Sequence, residues 1–300
     1  MPLFLASSGL SPARVRVSEG GFPSFLPKEV EEIREPRARE LAKRIERVPV
    51  KISFSKNPIM TSCVRPLRQQ RMEPLVLLHG FDSSCLEWRY MYPLLEDAGV
   101  EAWAVDILGW GFSDLETLPP CDVAAKREHL YKISKLIFIN ASVYAEGTGN
   151  MTKLPKFVAY AGAFVLKSLP LRLYAIGLAF NKIPEGLYLD WTNLGRLHCR
   201  LPWWEDATVS FMIGGGYNVV NQIKQIKHKS LIIWGEDDRI ISNKLALRLH
   251  DDIPDSVLHQ IPQCGHIPHV EKPELVAESI LEFLGQHDKS KNDSVGFSVA

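Results

Sequence analysis

SLIIWGEDDRIIS (Ser230 to Ser242) is followed by QCGHIPHVEKP (Gln263 to Pro273), which places His266 28 residues past Asp238. The apolar run Leu231 to Trp234 ending in a Gly-acid-acid turn reads as a buried strand and its exit loop. His266 follows a glycine in a loop that runs into a helix opened by Pro273. A carboxylate leaving one strand and an imidazole leaving the next have the chemistry of an orienter and a general base. The carboxylate fixes the imidazole tautomer, and the free ring nitrogen accepts a proton from a nucleophile. In that arrangement the nucleophile lies upstream, on a G-x-S-x-G turn between a strand and a helix. No such turn precedes Ser230. The chain carries two of three catalytic parts.

Two further strings fit the same sheet. PLVLLHGFDSS (Pro74 to Ser84) is an apolar strand that breaks at His79-Gly80-Phe81, and VEAWAVDILGWGFSD (Val100 to Asp114) is a strand followed by a glycine-punctuated loop. Taken together, HGFDSS, DILGWGFSD, GEDDRI and CGHIPHVEKP resemble the α/β-hydrolase superfamily over residues 23 to 286. The stretch PSFLPKEVEEIREPRARELAKRIERVPV (Pro23 to Val50) resembles a plant, plastid-type branch of it. The resemblance implies an α/β-hydrolase fold, a mainly parallel doubly wound sheet with a helical cap insertion. It implies Asp238 as the acid, His266 as the base and His79, Gly80 and Phe81 as the oxyanion loop. There His79 stabilises the loop and the Phe81 N–H faces the oxyanion. Asp237 then caps its turn, and His269 is structural. The implied activity is that of an esterase, lipase or epoxide hydrolase on a small apolar ester-type substrate, with no cofactor and no metal.

The departure is as specific as the match. In this family the GWG-x-SD loop leads through a helix and a strand to the nucleophile elbow, then a long helix and another strand. Here CDVAAKREHLYKI (Cys121 to Ile133) runs straight into SKLIFINASVYAEGTG (Ser134 to Gly149), which resembles the strand after the elbow helix. A strand, an elbow and a helix need about 35 to 40 residues. The interval from Lys132 to Lys135 supplies none, so the central strand and elbow helix are read as deleted. Substitute nucleophiles are weak. Ser113 in GFSDL lacks the final glycine, Ser142 lacks flanking glycines, and Asp82 suits an Asx-type turn. Cys85 and Cys264 show no activating neighbour in sequence. Two readings stand: a hydrolase by resemblance, or a non-catalytic binding protein from the same family.

The rest of the composition bounds the partners. The chain has 300 residues, 46% hydrophobic and 23% charged, with 35 basic against 35 acidic residues. A net charge of zero gives no case for nucleic acid. Five cysteines with no C-x-x-C pair point to a reducing compartment. Residues 1 to 18 hold no acid, four serines and two arginines, the composition of a plastid transit peptide, so a chloroplast address is expected, with the cytoplasm as the alternative. The tail from 287 to 300 is polar and aperiodic. The most apolar stretch, Phe157 to Phe180, is interrupted by Lys167, Pro170 and Arg172, so no membrane span is expected. It reads as the apolar underside of a lid.

Core segments 23–143 and 230–286 are thus expected to flank a cap at 144–229. A surface helix is expected over Leu26 to Val48, an antiparallel strand at Val50 to Ser55 paired with Ile59 to Val64, and a helix from Cys85 to Gly99. Core strands follow at Leu75–Leu78, Val100–Val105, Leu136–Ile139, Leu231–Trp234 and Val257–Ile261, with helices at Asn243–Asp252 and Pro273–Gln286. The cap is rich in aromatics (Tyr160, Tyr174, Tyr188, Trp191, Phe211, Tyr217), most of them expected to hold it together. Trp203 and Trp204, with Glu205, are the expected substrate-facing exceptions. Gly214-Gly215-Gly216 reads as a turn.

Overall fold

A computed structural model describes residues 21–67, 74–129, 135–144, 151–216 and 218–285. The transit-peptide composition, the polar tail, Tyr217 and the junction at 130–134 lie outside the described residues. In chain order the elements are α1 (Pro36–Lys43), β1 (Ile45–Val50), β2 (Ile59–Val64), β3 (Leu75–Leu78), α2 (Met91–Asp97), β4 (Ala102–Val105), α3 (Val123–His129) and β5 (Leu136–Ile139). Then come the inserted helices α4 (Lys156–Leu166), α5 (Leu169–Ala179), α6 (Tyr188–Arg196), α7 (Trp204–Ile213) and the short α8 (Val220–Ile223). The chain closes with β6 (Ser230–Gly235), α9 (Asn243–Asp252), β7 (Ser256–Ile261), α10 (Pro268–Glu271) and α11 (Pro273–Leu284).

The core strands and closing helices fall where the apolar runs place them. The N-terminal segment does not. Instead of one helix over Leu26–Val48, a 3-10 turn at Lys28–Glu32 and α1 precede a strand at Ile45–Val50, in register with β2 (Ile45 opposite Val64). The expected strand at Val50–Ser55 thus begins five residues early. Helical charge spacing across Ile45–Val48 was outweighed by pairing with β2 and by burial of Ile45 and Val48 on opposite strand faces. Pro49 is tolerated because β1 is an edge strand. The expected helix at Cys85–Gly99 is a 3-10 turn, Cys85–Trp88, followed by α2.

The described strands form two sheets, β1-β2-β4-β3 and β5-β6-β7. β3 pairs β4 in parallel, and β5, β6 and β7 are parallel throughout. β3 and β5 are therefore both sheet edges, and no described strand lies between them. LIFINA has not slid inward to pair with the HGF strand.

The two faces differ. On one, a single cluster crosses the seam: Leu77, Ala102 and Ala104 from the first sheet share it with Leu231, Ile233 and Ile261 from the second, covered by α2 and α11. On the other, packing breaks into separate groups, Trp103 and Val105 with Val48 and Cys63, and Ile232 and Trp234 with α9 residues Ala246 and Leu249. Val76, alternating with Leu75 and Leu77 on this broken face, is 41% exposed. β4 and β6 are buried throughout, whereas every residue of β5 is only half-buried. A face stripped of cover beside an unpaired seam is what loss of a central strand and its helix leaves behind.

Candidate active site

Two glycines bring the acid and base loops together. Gly235 ends β6 and Gly265 precedes His266, and a side chain on Gly235 would collide with the Cys264 and Gly265 carbonyls. The Gly235–Asp238 turn and the Cys264–His266 loop can therefore touch, and Asp237 N–H bonds Cys264 O at 2.9 Å. Asp238 Oδ2 meets His266 Nδ1 at 2.8 Å. The second carboxylate oxygen accepts from the backbone N–H groups of Ile240 at 2.7 Å and Ile241 at 3.0 Å. Burial pushes the Asp238 carboxyl up, but the His266 hydrogen bond and charge, with the Ile241 N–H and the Asn140 amide, hold it below its ordinary range. An ionised carboxylate on Nδ1 makes that nitrogen the donor and leaves Nε2 as the acceptor.

Asn140 is a direct partner of this pair that the sequence reading passed over. It sits at the end of β5 at φ 40°, a left-handed position that Asn tolerates. Its side chain donates to Asp238 Oδ2 at 2.7 Å and accepts from Gly235 N–H at 3.0 Å. The only sequence signal is an Asn closing an apolar strand.

The cap leans on this pair. His266 N–H donates to Ala179 O at 2.7 Å, and Asn181 Nδ2 donates to Asp237 Oδ2 at 2.7 Å. Arg239 donates to the carbonyls of Gly177 and Phe180, and Glu271 accepts from the N–H groups of Gly265 and Asn181. Asp237 thus ties its turn to the cap, beyond the expected local role. His269 pairs with Glu87 at 2.8 Å, a structural contact.

The HGF loop is a second, separate cluster. His79 Nε2 accepts from Ile107 N–H at 3.0 Å, so Nδ1 carries the proton and donates to Gly80 O at 2.8 Å. Burial pushes the imidazole pKa down, outweighing the nearby Asp106 charge. Asp106 is buried and accepts from Cys85 N–H at 2.6 Å, Phe112 N–H at 2.9 Å and the Ser62 hydroxyl. Gly111, at φ 70°, passes so close to this carboxylate that no side chain fits. The Phe81 ring lies edge-on to Trp110 with centroids 5.1 Å apart and meets Phe211 of the cap at 5.8 Å.

Asp82 corrects one expectation. Its carboxylate, buried and at φ 53°, is no local Asx turn. It accepts from His198 Nε2 at 2.9 Å, Trp204 Nε1 at 2.8 Å and the Arg172 guanidinium, binding the HGF loop to three cap elements. Burial pushes Asp82 up, but Arg172 and His198 hold it below its ordinary value. Trp204 is corrected with it: at 1% exposed and committed to Asp82, it does not face a substrate. Trp203 is half-buried against the Leu108 and Leu115 group, and Glu205 pairs with Lys167. Asp82, His198 and Cys199 hold three metal-type donor atoms near one another. Arg172 Nη2 lies 3.1 Å from Cys199 Sγ and beside Asp82, so that place already holds a cation.

None of the substitute nucleophiles reaches His266 through a described bond. Ser113 is buried against Ser62, its hydroxyl accepting the Ser62 N–H at 3.1 Å. The Cys85 thiol is pushed well up by burial and Asp106, and Cys264 is pushed up to about 12 by burial and Glu271.

The profile of the alpha/beta hydrolase fold matches residues 171–273. The chain is 48% identical to the alpha/beta hydrolase domain-containing protein VTE7 of Arabidopsis thaliana, over 305 residues that take in 90% of this chain and 92% of that one. It is 36% identical over 252 residues to a 2-hydroxy-6-oxononadienedioate/2-hydroxy-6-oxononatrienedioate hydrolase of Paraburkholderia phymatum, covering 71% of this chain and 88% of the relative. Among solved structures, a bromoperoxidase from Bacillus anthracis superimposes with TM-score 0.63 at 16% identity, over 79% of this chain and 100% of the other. An esterase from Thermogutta terrifontis gives TM-score 0.63 at 17% identity, over 81% and 100%. The chain belongs to the α/β-hydrolase family. The alignment of 305 residues with the plant relative uses 90% of this 300-residue chain, so about 35 aligned positions of that relative have no counterpart here.

Proposed function

We propose that this chain is a serine-hydrolase scaffold for a small apolar ester-type substrate, of the esterase, lipase or epoxide-hydrolase kind, that keeps the acid and base and lacks the nucleophile. Asp238 orients His266, whose Nε2 is the base; Gly80 and Phe81 belong to the oxyanion loop, positioned by His79. Residues 144–229 form the cap, with Trp203 its substrate-side aromatic, between core segments 23–143 and 230–286. The observation that carries the reading is that His266 Nε2 has no hydrogen-bond partner among the described residues, while Nδ1 is fully engaged. Without a nucleophile the covalent route is closed, and the chain binds its ligand without efficient turnover. This favours the binding-protein reading for the chain as it stands. The serine- and arginine-containing, acid-free N-terminus and the plant relative support a plastid address.

A fluorophosphonate probe tests the assignment. The chain is expected to stay unlabelled. Restoring the missing block between Lys132 and Lys135 should restore labelling, which His266→Ala and Asp238→Asn should each lower by a factor on the order of a hundred or more. Stoichiometric labelling of one serine in the present chain, Ser142 or Ser113 first among them, overturns the proposal.

A further inference from the structure

Helix α4 is built inside out. Its buried positions are Ala159 and Ala163, packed against Trp110, Trp204, Val209 and Phe211. Its large apolar residues point the other way: Phe157 is 75% exposed, Phe164 64% and Val165 52%, with Val158 and Ala161 also exposed. Positions 157, 158, 161, 164 and 165 fall at the spacing of one helical stripe. A surface helix in water normally presents the reverse pattern, and contiguous exposed apolar area marks a surface that something covers.

The charge around the stripe says what covers it. From Met151 to Lys182 the chain holds five bases (Lys153, Lys156, Lys167, Arg172 and Lys182) and no acid, within a chain whose net charge is zero. Arg172 is committed to Asp82, but Lys153 and Lys156 are exposed at the start of the stripe. The acids on the neighbouring α7 are engaged, Glu205 by Lys167 and Asp206 by the Tyr160 hydroxyl.

We propose that this face of the cap docks on an anionic lipid bilayer, the apolar stripe lying at the level of the acyl chains and the lysines among the headgroups. The helix lies on the bilayer and does not cross it. α4 has 11 residues, about 16 Å long, against a hydrocarbon core of about 30 Å. α5 continues only after a 70° bend, and no single described helix is long and apolar enough to span. An amphipathic helix with basic flanks takes the interfacial position. A second copy of the chain fits poorly, since a twofold contact through this stripe sets Lys153 and Lys156 near their own mates. The inference stands apart from the catalytic reading, because it needs no nucleophile.

Vesicle co-sedimentation of the full chain tests it, using phosphatidylcholine vesicles with and without about one-third phosphatidylglycerol. Binding is expected with the anionic lipid and should weaken as salt is raised. Phe157→Ser combined with Phe164→Ser should lower the binding constant at least tenfold or so, and Lys153→Glu with Lys156→Glu by a similar factor. Phe157 and Phe164 sit away from the packed face and both lysines are exposed, and near-UV circular dichroism checks that the fold is kept. As a second readout, Phe157→Trp should give a blue-shifted emission quenched by brominated acyl chains. Anionic-vesicle binding that ignores the Phe157→Ser/Phe164→Ser pair, or a tryptophan that brominated lipid does not quench, overturns the proposal. So does a dimer in light scattering that this pair dissolves while vesicles are not bound.

Discussion

Inserting the missing strand, elbow and helix between Lys132 and Lys135 should stabilise this fold more than any point substitution, and the seam gives the size. In parallel pairing, alternate residues bond to one neighbour and the rest face the other side. Leu75 N–H bonds Glu101 O on the β4 side, so Val76 and Leu78 turn their backbone groups to the seam. Leu136 and Asn140 bond toward β6, so Ile137 and Ile139 face the seam from the other side. Eight polar groups on four residues thus lack a strand partner among the described residues. Were they dry, at about 1–3 kcal/mol each, the penalty of about 8–24 kcal/mol would match or exceed a typical stability of about 5–15 kcal/mol. The half-burial of β5 and the exposure of Val76 show how the cost is reduced, since water reaches the seam. Converting eight solvated groups to ladder bonds at roughly 0.5–1.5 kcal/mol each returns about 4–12 kcal/mol before any apolar burial. Urea unfolding of the two chains measures the difference, if the shorter one can be purified at all; low soluble yield is expected of it. Native-state hydrogen exchange is the sharper assay: the amides of Val76, Leu78, Ile137 and Ile139 should exchange fast, and those of β4 and β6 slowly, in the short chain alone. A short chain that is monomeric, melts cooperatively above about 55 °C and protects those four amides refutes the reasoning.

Asp82→Asn should cost about 3–5 kcal/mol near pH 7, because it leaves the buried Arg172 and His198 charges without their counter-ion; urea titration measures it. The pH dependence carries a second signature. Burial alone would lower the His198 pKa, but Cys199 and Asp82 raise it to about 9, so its stabilising effect is complete below the ordinary value and is lost as pH rises through about 9. The parent should therefore lose stability across that window and Asp82→Asn, which keeps only the Cys199 contribution, should lose less; parallel slopes would contradict the assignment. Gly265→Ala would place its methyl 2.5 Å from Ala179 O and 2.9 Å from Asn181 N, both backbone atoms, and should lower stability by about 1–3 kcal/mol, read as a fall in the thermal midpoint. An unchanged midpoint would mean that the cap does not rest on the His266 loop as described.

What was legible in the sequence follows from what each signal measures. A strand buried on both faces, such as Leu231–Trp234, announces itself as an unbroken apolar run, and the loops after it and after the next strand carry Asp238 and His266, so the pair came out together. Ile45–Val50 was hidden because its charged residues suit a helix surface equally well, and only pairing with β2 decides between the two. Trp204 was misjudged because an indole in a cap has the same letter whether it faces a ligand or donates to a carboxylate 122 positions away. Asn140 escaped for the same reason, since its partners Gly235 and Asp238 lie 95 and 98 positions on.

The dyad's own geometry does not depend on the missing block. Asp238 is set by two backbone N–H groups of its own loop and by Asn140 on the neighbouring strand, and His266 by the Ala179 carbonyl at the end of α5. Every one of these contacts lies in the second sheet or in the cap. The HGF loop is fixed within the first sheet through Ile107 and Asp106, and to the cap through Asp82. The strand and elbow proposed as missing would stand between these two assemblies, and on that reading their absence separates Asp238 and His266 from the HGF loop without dismantling either. Among the described polar contacts, two links still join them: the Glu87–His269 pair, and α5, which touches the His266 loop through Ala179 and the HGF loop through Arg172. Helix α5 and the Glu87–His269 pair therefore share the alignment that a central strand would otherwise impose. Pre-assembled halves of this kind explain why restoring one block is expected to recover labelling without further change.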